Sequence, residues 1–132
     1  MKILLDTHAL LWIVTRDRRL SRTAQGLFLD TSNAILLSIA SIWEIAIKKS
    51  LGRLTMSGTL AEFVNEHIIG NDIGLLNIQL EHIYQIETLP FHHRDPFDRL
   101  IVAQALIENT PVLSADASFD YYPVKRIWEK QI

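Results

Sequence analysis

Ala34-Ile35-Leu36-Leu37 is the stretch that decides the fold. Four apolar residues in a row, with no polar residue at alternate positions, describe a strand covered on both faces. Such strands belong to parallel sheets with helices above and below. Upstream, Lys2-Ile3-Leu4-Leu5 reads as a short buried strand, followed by a helix from His8 to about Val14. Arg16-Asp17-Arg18-Arg19 is a charged loop, and Ser21 caps a second helix running to about Leu29. Downstream, Ile39 to Lys49 is helical, with Ile42, Ile45 and Ala46 at core-facing spacing, and Gly52 ends it. Thr59 to Ile69 reads as a helix broken at Gly70, and Ile73 to Ile78 as a third strand. Leu80 to Glu87 is helical and cannot continue through Pro90. Asp95-Pro96 opens a helix from Phe97 to about Asn109, Val112-Leu113 gives a fourth strand, and Val124 to Trp128 a short fifth. Strands alternating with helices predict an α/β fold around a parallel sheet.

The chain has 132 residues, enough for one domain with one real core, and the expectation is a single domain over 1–132. Hydrophobic residues make up 48% and charged residues 21%, ordinary for a globular fold. A net charge of -2 gives no bulk sign of nucleic-acid binding, so any such binding must use local patches. With no cysteine, disulfides and thiolate metal sites are excluded. The N-terminal segment meets Asp6 too early for a signal-peptide core, and no apolar stretch approaches the roughly 20 residues that span a bilayer. A cytoplasmic protein with no membrane association is expected.

The chemistry lies in four carboxylates. In parallel sheets ligands bind beyond the carboxyl ends of the strands. Asp6 and Asp116 each follow a strand. Asp98 sits in the first turn of the helix that enters strand four, and Glu44 lies early in the helix after strand two; both helices start at that same edge. Four ionised acids crowded together repel and couple their titrations. Mg²⁺ or Mn²⁺ relieves this, because hard cations prefer oxygen ligands. A metal so held activates water and orients a phosphate, which makes a metal-dependent hydrolase the reading of choice.

Each acid also has a plainer role. Asp95-Pro96-Phe97-Asp98 is a good helix start in its own right. Ser41 and Glu44 have the spacing of a capping box, and Glu44 can pair with Lys48 one turn on. Asp6 and Asp116 can cap the helices after them, and Asp120 reads as a turn residue. His92 and His93 lack the i, i+4 spacing of a zinc pair and read as a solvated loop. His8 either borders the pocket or packs in the core. Trp12 and Trp43 fall on helices as core or interface anchors. Arg16, Arg18, Arg19 and Arg22 form a solvated basic group able to contact phosphate. Joint placement, and no single residue, favours the functional reading.

Leu4-Leu5-Asp6-Thr7-His8-Ala9-Leu10-Leu11-Trp12, Ser38 to Ile47, Arg94-Asp95-Pro96-Phe97-Asp98-Arg99 with Ala103-Gln104-Ala105, and Leu113-Ser114-Ala115-Asp116 with Phe119 resemble the PIN-domain ribonucleases, and within them the VapC-type toxins of bacterial toxin–antitoxin pairs. The resemblance spans essentially the whole chain. It implies a three-layer α/β/α sandwich with a five-stranded, mostly parallel sheet, in which strands one and four are neighbours. It implies Asp6 and Asp98 as primary Mg²⁺ ligands, with Mn²⁺ a substitute, and Glu44 and Asp116 as the completing acids. Ser114 matches a hydroxyl position that supports the metal shell, and Arg99 is placed to orient an acid or touch phosphate. The implied reaction is endonucleolytic cleavage of RNA by water, in a homodimer controlled by a cognate antitoxin. Many relatives carry a small polar residue two places after the first Asp; here it is His8.

Two other readings compete. The opening Leu4-Leu5-Asp6-Thr7-His8 also resembles haloacid-dehalogenase-like phosphatases with Asp6 as nucleophile, but their second Asp falls where this chain has His8. A non-catalytic binding module on the same fold is the other; retention of all four acids counts against it.

Overall fold

The computed structural model describes residues 1–129. Five strands form one sheet: β1 Lys2–Leu5, β2 Ala34–Ser38, β3 Gly74–Leu76, β4 Val112–Leu113 and β5 Arg126–Ile127. All pair in parallel, in the order β3-β2-β1-β4-β5. Six α-helices flank the sheet: α1 Thr7–Thr15, α2 Arg22–Leu29, α3 Ile39–Ser50, α4 Leu60–Phe63, α5 Leu80–Glu87 and α6 Pro96–Glu108. A 3₁₀ turn, Ala117–Tyr121, links β4 to β5.

The apolar runs form strands because both faces are covered. Along β1, Ile3 and Leu5 join a core with Leu10, Ala24, Leu37, Ile45 and Phe63, while Leu4 joins a second core with Ile101, Val102, Val112 and Phe119. Ile3, Leu4 and Leu5 have no exposed surface, so a polar residue at any of them would be buried without compensation.

The strand order places a topological switch at the centre. From β1 the chain winds outward through β2 to β3, then returns to β4 on the other side of β1. Leu5 pairs with Leu113, and the Asp6 amide donates to the Leu113 carbonyl at 3.2 Å. The carboxyl ends of β1 and β4 thus meet at the crevice where ligands bind in open α/β sheets.

Three segments differ from expectation. The strand expected over Ile73 to Ile78 is confined to Gly74–Leu76, because its partner β2 ends at Ser38, opposite Leu76. The fifth strand is likewise limited to Arg126–Ile127, matching the two residues of β4. The helix expected over Thr59 to Ile69 keeps α geometry only to Phe63 and widens to a π turn over Val64–Ile69. Gly70 makes that widening possible: a Cβ there would lie 2.3 Å from the Glu66 carbonyl oxygen. Among the described residues no helix is long and apolar enough to cross a membrane.

Candidate functional site

Asp6 ends β1 and caps α1: its Oδ1 accepts from the Ala9 amide at 2.7 Å. The same side chain is only 5% exposed. Burial raises its pKa, the Ser114 hydroxyl and the Ala9 amide oppose the rise along with His8, and Asp116 adds to it. Asp116 follows β4 and caps the 3₁₀ turn, its Oδ1 accepting from the Ser118 amide at 2.9 Å. The capping roles read from sequence are therefore real, and they coexist with convergence. Ser114, fully buried, accepts from the Asp116 amide at 3.0 Å and also stands beside Asp6, so one hydroxyl serves both acids.

Asp98 is brought in by α6. Asp95 caps that helix through the Phe97 and Asp98 amides, Pro96 fills its first position, and Asp98 faces the sheet edge from the first turn. Its carboxyl is pushed up to about 7. Burial is the largest cause, Asp95 adds to it, His93 opposes it, and Glu44 and Asp6 raise it further. A helix N-terminus ordinarily favours an acid by about 0.3–1 kcal/mol, so here burial and the neighbouring acids outweigh the dipole.

Glu44 is 5% exposed on α3. The actual N-cap of α3 is Ser38, whose side chain accepts from Ala40, so the Ser41–Glu44 spacing is not a capping box. Both residues turn inward instead. Thr7 Oγ1 lies 2.8 Å from Glu44 Oε1 and 2.9 Å from Ser41 Oγ. The Thr7 hydroxyl has one proton and donates it in a hydrogen bond to the Glu44 carboxyl oxygen, so the Ser41 hydroxyl is the donor to Thr7 Oγ1. The expected pairing with Lys48 is present, at 2.7 Å from Oε2. Both Glu44 oxygens are thereby engaged, one of them with a partly exposed cation.

Two expectations fail around the start of α6. His93 is 9% exposed and belongs to the site. Its Nε2 lies 2.9 Å from Asp116 Oδ2 and its Nδ1 3.1 Å from the Tyr122 hydroxyl. Ligand atoms of His93, Asp98 and Asp116 all fall within 4.8 Å of one another. His92, one residue away, is exposed and rests on Tyr121 and Tyr122. The sequence carried no spacing signal for this, because an irregular loop has no periodicity.

Arg99 is the second correction. It is 6% exposed, and its guanidinium donates to the carbonyls of Pro90 at 2.9 Å, Leu89 at 3.2 Å and Ile86 at 3.3 Å, with Phe91 stacked 4.1 Å away. It locks the α5–α6 loop, its guanidinium committed to backbone carbonyls rather than to an acid of the site. Arg99→Ala is expected to destabilise the protein by roughly 2–4 kcal/mol, through lost charge-assisted hydrogen bonds and stranded carbonyls. Urea unfolding checks it: an unchanged midpoint with weakened substrate binding would restore the phosphate role.

His8 lies at the rim. It is exposed, its ring 5.9 Å from Trp12, and both line a cavity of about 360 Å³ with Asp6, Arg19, Ala115 and Asp116. Arg19 sits 4.7 Å over Trp12 and is held by Asp17 at 2.7 Å, leaving a cation at the mouth of an acidic cavity. Larger clefts of about 470 and 560 Å³ carry none of the four acids, so chemistry rather than volume locates the site. Asp120 pairs with Arg126 at 3.0 Å, as a turn residue would.

The donor set suits a hard divalent cation. It is rich in oxygen, has no thiolate, and holds one carboxyl whose ionisation is opposed by its neighbours. Among the described residues Asp98, Asp116 and His93 bring ligand atoms close enough to share one ion, and Asp6 and Glu44 are near enough to act on the Asp98 charge.

Comparison with known proteins identifies the family and the fold. The family model described as PIN domain matches residues 3–125. The chain belongs to the PIN domain family. No curated protein matches this PIN domain in sequence. Its fold is shared with VapBC2 from Rickettsia felis bound to a DNA fragment from their promoter, at a TM-score of 0.71 and 13% identity over 98% of this chain and 100% of that one. A toxin-antitoxin complex from Klebsiella pneumoniae gives 0.62 and 17% over 98% and 99%. VapBC-1 from nontypeable Haemophilus influenzae gives 0.64 and 14% over 96% and 97%. At such identities the likeness establishes the PIN fold, with its five-stranded parallel sheet between helical layers.

Proposed function

We propose that this PIN domain is a Mg²⁺- or Mn²⁺-dependent endoribonuclease, the toxin of a toxin–antitoxin pair, working as a homodimer. The observation that carries the reading is Asp98: a carboxyl pushed to about 7 by burial among acids, with Asp116 and His93 ligand atoms within 4.8 Å, at the switch point of the sheet. A site that opposes its own charge in this way favours a cation.

A bound metal supplies positive charge and an activated water. The chain's residues do the rest. Asp6 and Asp98 would hold the ion, with Asp116 and Glu44 as the acids that complete its shell, and Ser114, beside Asp6 and bonded to the Asp116 amide, ties the two strand-end acids together. Arg19, at the cavity mouth, receives the backbone phosphate.

The antitoxin is supported by the company the fold keeps, since the neighbours named above include toxin-antitoxin complexes. The cleft of about 470 Å³ beside α1 and α4, lined by Leu11, Val14, Leu54, Met56 and Phe63, offers an apolar seat for its segment. A basic side chain entering the acid cluster would then substitute for metal charge and silence the enzyme.

The test is to incubate purified protein with end-labelled RNA and DNA of the same sequence, in Mg²⁺ or Mn²⁺ and in EDTA. RNA is cut in metal, DNA is spared, and EDTA stops the reaction. Equal cutting of both would broaden the substrate to nucleic acid generally, and no cutting of any RNA would favour a binding module.

A further inference from the structure

His93 and Tyr122 are two buried polar residues that the reaction above does not use, and both bear on Asp116. Asp116 differs from the other acids of the site. Asp6 and Glu44 are fixed by burial, whereas the Asp116 side chain is 42% exposed and opens a short 3₁₀ turn. Left alone, such a carboxylate would rotate freely. It is held at both oxygens: Oδ1 by the Ser118 amide and Oδ2 by His93 Nε2 at 2.9 Å.

His93 is itself held on several sides. Its ring lies nearly parallel to Tyr122, with centroids 5.5 Å apart and planes at 14°, and tilts against Phe119 at 4.9 Å. Its Nδ1 is 3.1 Å from the Tyr122 hydroxyl, and Tyr122 is 3% exposed. One end of this chain of hydrogen bonds has a fixed direction. A carboxylate only accepts, so Nε2 carries a proton and donates to Asp116, while Nδ1 meets the Tyr122 hydroxyl, a group that can either donate or accept. An imidazole whose Nε2 carries that proton has no lone pair there to offer a metal, and a hard cation prefers the oxygens of the acids in any case.

We propose that His93, set by Tyr122, is a positioning residue that holds Asp116 in the orientation required to bind the divalent cation. The proposal rests on the metal-site reading above and adds two residues to it. Outer partners of this kind typically govern metal affinity by roughly 10–100-fold.

The test titrates Mn²⁺ alone into metal-free protein by calorimetry and records pulsed electron paramagnetic resonance of the bound ion. His93→Phe keeps a packed ring and removes the donor; His93→Gln keeps an N–H donor and loses the ring. His93→Phe is expected to lower Mn²⁺ affinity by roughly 10–100-fold while the metal-free melting temperature stays near that of the unaltered protein. His93→Gln is expected to retain most of the affinity. Tyr122→Phe, which leaves the ring in place and removes the hydroxyl that anchors Nδ1, is expected to fall between them. The bound Mn²⁺ of the unaltered protein is expected to show no coupling to a directly bonded nitrogen.

Unchanged affinity in His93→Phe overturns the proposal, as do equal losses in the Phe and Gln variants, which would point to packing. A nitrogen coupling at Mn²⁺ overturns it in favour of His93 as a direct ligand, with the metal site intact. If the unaltered protein binds no Mn²⁺, the metal reading itself falls along with it.

Discussion

Asp98→Asn is expected to abolish cleavage and to raise the melting temperature of the metal-free protein at pH 8. Both effects have one origin. The ionised Asp98 carboxyl is opposed by burial and by Asp95, Glu44 and Asp6, which together push it to about 7. Asparagine keeps the shape and the helix position while removing the charge. Without metal, the fold is relieved of repulsion; with metal, the site loses an anionic ligand that an amide cannot replace. Losses of at least roughly 10³-fold are expected in turnover, by analogy with other groups that act as a unit in catalysis. Thermal melting beside a cleavage assay reads both effects. A variant that cuts normally would remove Asp98 from the reaction, and one that melts lower would show that its charge stabilises the fold.

The second large effect comes from the same carboxyl and depends on pH. Its folded value, about 7, lies above its ordinary value of 3.8. Between those values the folded state binds more protons than the unfolded chain, so stability falls as pH rises through the window. Above about 7 the full penalty is present; below 3.8 none is. Asp6, also raised, acts in the same direction, while Asp116, held low against burial by His93 and Ser118, adds stability that is lost only as pH drops into the acid range. Metal-free protein is therefore expected to melt higher at pH 5 than at pH 8, and the slope to flatten in Asp98→Asn. At pH 8, Mg²⁺ or Mn²⁺ at about a hundredfold excess over its dissociation constant should restore roughly 2.7 kcal/mol. A melting temperature flat from pH 5 to 8, insensitive to metal, would contradict the account.

Much of this site was legible because its acids are anchored to the beginnings and ends of regular elements. Asp6 and Asp116 terminate buried apolar runs, and Asp98 comes just after an Asp-Pro helix start, so their shared edge is implied once the sheet is parallel. Local geometry was harder. The capping-box spacing of Ser41 and Glu44 is genuine, but Ser38 starts the helix and turns both residues into the interior, where Thr7 receives them. Arg99 is next to Asp98 in sequence, yet successive helical residues point about 100° apart, and this one reaches back to the preceding loop. Which histidine turns inward is decided far from the loop in sequence, by Asp116, Phe119 and Tyr122 around His93. The π turn before Gly70 was invisible for a similar reason: helical periodicity does not distinguish a widened turn from a regular one.

The measurement that bears most directly on the central claim is the chemistry of the cut ends. If water is the nucleophile in a metal-loaded acid cluster, RNA fragments carry a linear phosphate on one side of the cut and a hydroxyl on the other, they vanish with EDTA, and Asp98→Asn produces none. Fragments ending in 2′,3′-cyclic phosphate, or cutting that persists in EDTA, would mean that the ribose hydroxyl attacks without metal and that the four acids do something else.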